Sequence, residues 1–188
     1  MVIVVIGGSG SGKSEYAENL SVKLNQERLV YIATMQAFDE ESRTRIKKHR
    51  QMRVNKNFQT IECYTNLKQE VLQKNTTVLL ECMSNLVANE LYSEYGAKEH
   101  TFDEIKQGVN SLINQTSNLI IVTNNVFEDG ITYDDETMNY LKILARVNNW
   151  LSSIADQVIE VIHGIPVNMC INTQFINKQC INKQCINK

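Results

Sequence analysis

Residues 7–14 read Gly7-Gly8-Ser9-Gly10-Ser11-Gly12-Lys13-Ser14, which fits the spacing G-x-x-x-x-G-K-[ST]. Each residue type has a physical reason to stand there. Glycines let the backbone fold back on itself and aim several N–H groups at phosphate oxygens. A helix starting just after the loop adds the positive end of its dipole. Lys13 would neutralise charge on the β- and γ-phosphates, and the Ser14 hydroxyl would hold Mg²⁺. The chemistry predicted is the binding of a nucleoside triphosphate and transfer from it. The context agrees: a continuous β-branched run over residues 2–6 precedes the loop, and a helical pattern follows.

Two more groups could complete such a site. Residues 77–81 read Thr-Val-Leu-Leu-Glu, an apolar strand ending in a carboxylate. Parallel strands open their C-terminal ends onto the ligand crevice, so Glu81 is a candidate for contacting Mg²⁺ directly or through water. The second is a basic helix over residues 39–53, with acids first and bases last, as the helix dipole favours. Arg45, His49 and Arg53 share a face at i, i+4 and i+8. Neutral imidazole can attack phosphorus, and neighbouring cations disfavour its protonation. Taken alone, the same pattern also fits a solvated charged face. His100, in a polar stretch, and His163, after a strand, read as structural.

Size and composition narrow the class. At 188 residues the chain fits one domain with a sizeable core. A net charge of −2 supplies no basic field for nucleic acid. No apolar run approaches the ~18 residues of a spanning helix, and the short apolar start lacks the flank of a signal peptide. A cytoplasmic protein without a membrane span is expected. The five cysteines, Cys63, Cys82, Cys170, Cys180 and Cys185, are odd in number and form no C-x-x-C pair, so neither a disulfide framework nor a zinc site is expected.

The elements that must position these residues are legible as alternation. Continuous apolar runs at 2–6, 29–33, 78–80, 119–122 and 158–162 predict strands buried on both faces. Helical patterns at 13–25, 39–53, 66–74, 84–94, 101–115 and 135–154 lie between them. Strand–helix alternation predicts an α/β domain: a mostly parallel central sheet with helices on both faces. One catalytic domain over 1–169 is expected, followed by a low-complexity tail over 170–188 in which Ile-Asn-Lys-Gln-Cys occurs at 176–180 and again at 181–185.

In this order the motifs are more specific than the phosphate loop alone. After the loop come Tyr31-Ile32-Ala33-Thr34, the acidic start and Arg45-Ile46-x-x-His49 of the basic helix, Glu62-Cys63, and Leu79-Leu80-Glu81-Cys82. Asn85 to Asn89 (N-L-V-A-N), Val122-Thr123-Asn124, Gly130-Ile131, Ala145-Arg146-Val147-Asn148 and the closing Gly164-Ile165-Pro166-Val167 complete the set. The chain from residue 1 to about 169 resembles the bifunctional adenosylcobinamide kinase / adenosylcobinamide-phosphate guanylyltransferase family. The resemblance implies a three-layer P-loop fold of RecA-like type. It implies phosphorylation of a corrinoid hydroxyl, then transfer of GMP from GTP through a guanylylated histidine, here His49. It implies nucleotide contacts at Ala33, Thr34 and Met35, at Arg50, Gln51, Met52 and Arg53, and at Glu62 and Glu81. A carboxylate can accept the adjacent N1–H and N2–H₂ donors of guanine, a pair that adenine lacks. Glu81 thus has two possible partners, guanine and Mg²⁺. GTP, ATP or both would serve the kinase step, and a homo-oligomer, such as a trimer, is implied.

Four positions depart from the family pattern. Gly10 stands where a basic residue is usual, Val54 where proline is usual, Asn125 where an acid is common, and Tyr133 where proline is common. These departures fall hardest on the kinase step, because an acid near the strand end would position the substrate hydroxyl. Other readings compatible with the residues are a P-loop kinase of another small hydroxyl, and a nucleotide-binding module without transfer chemistry.

Overall fold

A computed structural model describes residues 1–25, 27–125 and 133–171. The Gly130-Ile131 motif and tail cysteines Cys180 and Cys185 lie outside the described residues. Among the described residues, seven strands form one sheet: β1 (Val2–Gly7), β2 (Arg28–Ala33), β3 (Gln59–Glu62), β4 (Thr76–Glu81), β5 (Asn118–Asn124), β6 (Gln157–Ile162) and β7 (Ile165–Ile171). The α-helices described between them are α1 (Lys13–Leu24), α2 (Glu40–Arg53), α3 (Met83–Tyr92), α4 (Thr101–Gln115) and α5 (Asp135–Ile154). The strand order is β3-β2-β4-β5-β1-β6-β7, parallel except for the final β6–β7 hairpin.

The continuous apolar runs bury both faces of the sheet. On one face Val4, Ile32, Leu80 and Ile121 pack under α3, α4 and α5, through Leu86, Val109 and Leu144 among others. On the other, Val5, Tyr31, Leu79, Ile120 and Val122 meet α1 at Ala17 and Leu20. Alternate residues of each strand feed opposite layers, the period-2 consequence of the pleat. A central residue such as Ile120 or Leu79, wholly inaccessible to solvent, contributes about 1.5–3 kcal/mol by leaving water.

Three expectations are corrected. The helix expected over 66–74 is absent: one 3₁₀ turn (Leu67–Gln69) forms, and the chain then extends. Its backbone partners come from α4, where Gln115 accepts from the Leu72 amide (2.8 Å) and donates to the Glu70 carbonyl (3.1 Å). Leu67 is buried against Gly108, where any side chain would collide at 2.7 Å. Second, β3 has no apolar run; it is an edge strand of exposed and half-buried residues. Third, β7 (Ile165–Ile171), which is not among the expected strands, is an antiparallel edge strand. Pro166 sits in it because an edge strand can spare one N–H.

α2 differs from the other helices. Asp39 caps it through a reciprocal box, accepting from the Ser42 amide at 2.7 Å while the Ser42 hydroxyl accepts from the Asp39 amide at 3.0 Å. These hydrogen bonds hold the Asp39 carboxyl below the usual carboxylate range. At its far end Arg53 is the only buried residue of the helix. The body of α2 therefore stands over the C-terminal ends of β2 and β4 with space beneath it. No described helix is long and apolar enough to cross a membrane.

Candidate functional site

The phosphate loop joins β1 to α1 by a turn that only glycine permits at two points. A Cβ on Gly7 would meet the Ser11 Oγ at 2.6 Å and the Val161 carbonyl at 2.7 Å. Gly12, the residue before α1, holds φ +89°, in the left-handed region. The β6–β7 turn braces the loop, with the Gly164 amide donating to the Ser11 carbonyl at 2.7 Å. His163 belongs to this turn, at φ +49°, and His100 is an exposed residue beside Glu99.

Lys13 and Ser14 then point to one place. The Lys13 ammonium donates to the Gly8 carbonyl at 2.9 Å, folded back over the loop. Burial lowers its pKa, with the Glu81 carboxylate partly opposing. The Ser14 hydroxyl donates to Glu81 Oε1. Glu81 ends β4 and is buried, and its other oxygen, Oε2, has no hydrogen-bond partner. Burial raises its pKa against the opposing pull of Ser14, Lys13 and Arg53. An orphaned buried carboxylate oxygen beside the loop serine suits an oxygen-seeking cation such as Mg²⁺.

Two cavities open here. One, of about 500 Å³, is lined by Ser9 to Glu15 along the loop, and by Arg45, Met52 and Asn124. The other, of about 650 Å³, lies under α2 and is lined by Tyr31, Ala33, Arg50, Gln51, Thr60, Glu62 and Tyr64 among others. His49, Glu81, Met35, Cys82 and Asn85 line both, so His49 stands in their common wall. Its ring turns Nδ1 inward, 3.6 Å from Glu81 Oε1 and without a hydrogen-bond partner. The edge that faces the cavities is therefore the Nε2 side. Burial is the main cause that lowers its pKa; the Glu18 carboxylate opposes, while Arg53, Lys48 and Lys13 add to it. The ring is neutral at pH 7, chiefly because it is buried rather than because cations surround it.

The remaining expected contacts divide. Ala33 and Met35 line the cavities, but Thr34 turns into the fold. Its hydroxyl donates to the Cys82 carbonyl (2.8 Å) and accepts from the Cys82 amide (2.7 Å), and its carbonyl accepts from Asn89 (2.8 Å). Gly7 is buried, and the Gly8 carbonyl is held by Lys13. Arg45 pairs with Glu41 at 2.6 Å on the surface while lining the loop cavity. Arg53 swings inward instead of joining it: its guanidinium lies 3.4 Å over the Tyr31 ring and 3.9 Å from Glu18. Glu62 accepts from Arg50 (3.0 Å) and from the Tyr64 hydroxyl (2.8 Å). Among the departures, Gly10 has φ +71°, a conformation that favours glycine; Val54 is exposed at the end of α2; the Asn125 amide donates to the Gly7 carbonyl at 3.3 Å; and Tyr133 lies just before α5.

One residue near His49 had no motif to announce it. Glu18 lies one turn beyond Ser14 on α1, fully buried. Its signal is a lone acid among the buried positions of α1, Lys13, Ala17 and Ser21. One of its carboxylate oxygens lies within 4.8 Å of a ring nitrogen of His49 and of a carboxylate oxygen of Glu81.

A buried parallel strand, a glycine turn that tolerates no side chain, and a lysine, serine and strand-end acid brought to its mouth define a P-loop nucleotide-binding domain. Comparison with known proteins carries this further. The family model described as cobinamide kinase / cobinamide phosphate guanyltransferase matches residues 3–169. The chain is 32% identical over 183 residues to the bifunctional adenosylcobalamin biosynthesis protein CobU of Escherichia coli strain K12, spanning 90% of this chain and 99% of that protein. It is similar to the same degree to the protein of that name from Salmonella typhimurium. A solved type III secretion system ATPase superposes with a TM-score of 0.53 at 9% identity, covering 94% of this chain and 60% of that one, a likeness of fold alone. The chain belongs to the cobinamide kinase / cobinamide phosphate guanyltransferase family, whose members are nucleoside-triphosphate-dependent kinases and guanyltransferases of cobalamin biosynthesis.

Proposed function

We propose that the protein phosphorylates a hydroxyl of adenosylcobinamide, with GTP or ATP as donor, and then transfers GMP from GTP to that phosphate through His49. The observation that carries this reading is the position of His49 in the wall shared by the two cavities. A triphosphate lying along the loop cavity brings its α-phosphorus to the Nε2 edge. Its base enters the cavity under α2, where Glu62, held by Arg50 and Tyr64, accepts N1–H and N2–H₂ of guanine.

In the first half-reaction Nε2 forms a bond to the α-phosphorus, and the bond from that phosphorus to the bridging oxygen breaks. Pyrophosphate leaves with the electron pair, and the imidazole keeps its proton on Nδ1. In the second, a phosphate oxygen of the corrinoid attacks, the N–P bond breaks, and its electron pair returns to Nε2. Splitting the transfer replaces one displacement between two anions by two easier ones. Lys13 leaves the Gly8 carbonyl to offset charge on the β- and γ-oxygens. Ser14 and Glu81 would hold Mg²⁺, which when bound neutralises the same oxygens. A cytoplasmic homo-oligomer accompanies this reading.

The test is incubation with Mg²⁺ and α-phosphate-labelled GTP, followed by denaturation and peptide mapping. Acid-labile, base-stable label on His49, lost in His49→Ala, is the expected result. Bound GTP without covalent label sinks the guanyltransferase assignment and leaves a kinase.

A further inference from the structure

Glu18 has no place in the chemistry above, yet it stands beside its centre. It is completely buried on α1. Its Oε2 accepts from the Lys56 ammonium at 2.8 Å, while its Oε1 has no hydrogen-bond partner. His49 Nδ1, also buried, has none either, and one ring nitrogen of His49 and one carboxylate oxygen of Glu18 lie within 4.8 Å of each other. Glu81 Oε1 is nearer, at 3.6 Å, but that oxygen is already engaged by the Ser14 hydroxyl. Once Glu81 faces the nucleotide and its cation, Glu18 Oε1 is the uncommitted acceptor left for the ring. Buried polar atoms are seldom left unpaired, because they have given up water without a replacement partner. A cation bound by Glu18, His49 and Glu81 together would satisfy the same atoms. The Arg53 guanidinium, 3.9 Å from Glu18 Oε1, and Lys56 already hold the cationic places there.

We infer that Glu18 is the positioning residue of the nucleophile: its carboxylate takes the Nδ1–H of His49, fixing the tautomer in which Nε2 carries the lone pair. The inference rests on the reading of His49 as nucleophile. Free neutral imidazole carries its proton on either nitrogen, and only the Nδ1–H form presents Nε2 to phosphorus. As Nε2 bonds to phosphorus, positive charge develops on the ring, and the carboxylate behind Nδ1 offsets it. No proton leaves Nδ1 in the step. A buried carboxylate oriented behind a histidine acts in this way in unrelated hydrolases and metal sites. α1 carries the carboxylate in fixed register with Ser14.

The experiment combines a structural and a kinetic readout on the full chain. Proteins labelled with ¹⁵N-histidine, the His49 signal assigned with His49→Asn, report the neutral ring's tautomer without any nucleotide. Single-turnover labelling by α-labelled GTP reports transfer, and equilibrium binding reports affinity. Wild type is expected to show Nδ1–H. Glu18→Ala is expected to populate Nε2–H and to lose transfer by about 10²–10³-fold while GTP binding changes less than about threefold. Glu18→Gln, isosteric but uncharged, is expected to fall between, and it carries the test if Glu18→Ala fails to fold. Lys56→Met, which removes the partner on the other oxygen, is expected to keep both tautomer and rate. An unchanged tautomer and rate in Glu18→Gln, or an equal loss in Lys56→Met, would overturn the assignment in favour of simple charge balance. If wild type takes no label, the proposed function fails. The tautomer alone then decides Glu18, and retention of Nδ1–H in its variants refutes the inference.

Discussion

Glu81 can serve the metal or the base, and the substitution Glu81→Gln separates the two. Glutamine keeps the shape and can still accept from Ser14, so the change removes charge and little else. The carboxylate sits at the loop mouth with one oxygen unpartnered. If that oxygen faces a cation, losing the charge forfeits an ionic contact of about 1.5–3 kcal/mol, or roughly 10- to 150-fold in affinity. The loss is expected only when Mg²⁺ is present. Without the metal a buried anion beside a triphosphate is repulsive, so metal-free GTP should bind the variant as well as, or better than, wild type. Calorimetric titration of GTP and ATP, each with and without Mg²⁺, gives the four numbers needed. Equal weakening with and without Mg²⁺, confined to GTP, would refute the metal assignment and give Glu81 to guanine.

Other outcomes follow from single features of the fold. Gly7→Ala drives a methyl against the Ser11 hydroxyl and the Val161 carbonyl, at an expected cost of about 1–3 kcal/mol measured by urea denaturation, with nucleotide binding lost. A variant as stable as wild type would mean the loop yields. Asp39→Ala removes a capping box and should weaken α2, seen as faster amide exchange along that helix; unchanged exchange would mean that Arg53 alone secures it. The raised pKa of Glu81 carries a pH signature. A carboxyl whose folded value lies above its unfolded value, about 4.3, stabilises the fold below that pH, and this is lost as pH rises through the folded value. Ligand-free Glu81→Gln should therefore gain stability relative to wild type as pH rises above about 4.3, and a difference that stays flat with pH contradicts this.

How far the sequence reveals the molecule depends on where each residue's partners lie. The five central strands and the helices α1, α4 and α5 were legible because their apolar period alone decides them: α4 and α5 begin and end where the pattern does. The edge strands were not: β3 carries little apolar pattern, and the alternating Ile165, Val167 and Met169 of β7 stay exposed on a strand that pairs on one side only. The segment after Asn66 shows the opposite failure. Its local spacing suits a helix, but Gln115, far along the chain, claims its backbone groups. In the site, the loop, Glu81 and His49 could be found because their motifs are contiguous or sit at strand ends. The inward turn of Arg53 could not, because Tyr31 and Glu18, which receive it, come from two other elements.

The way α2 is held has a mechanical consequence. Anchored by a guanidinium at one end and closed at the other only by a cap internal to the helix, it is a beam whose one firm support is Arg53, the single residue of the helix sunk into the protein. His49 lies four residues from that support and Asp39 fourteen, roughly 6 Å and 21 Å along a helix that rises about 1.5 Å per residue. A tilt of about 10° about Arg53 would lift the Asp39 end by roughly 3.6 Å but His49 by only about 1 Å. The free end can thus swing to admit a ligand as bulky as a corrinoid while the imidazole, close to the pivot, stays near its mark.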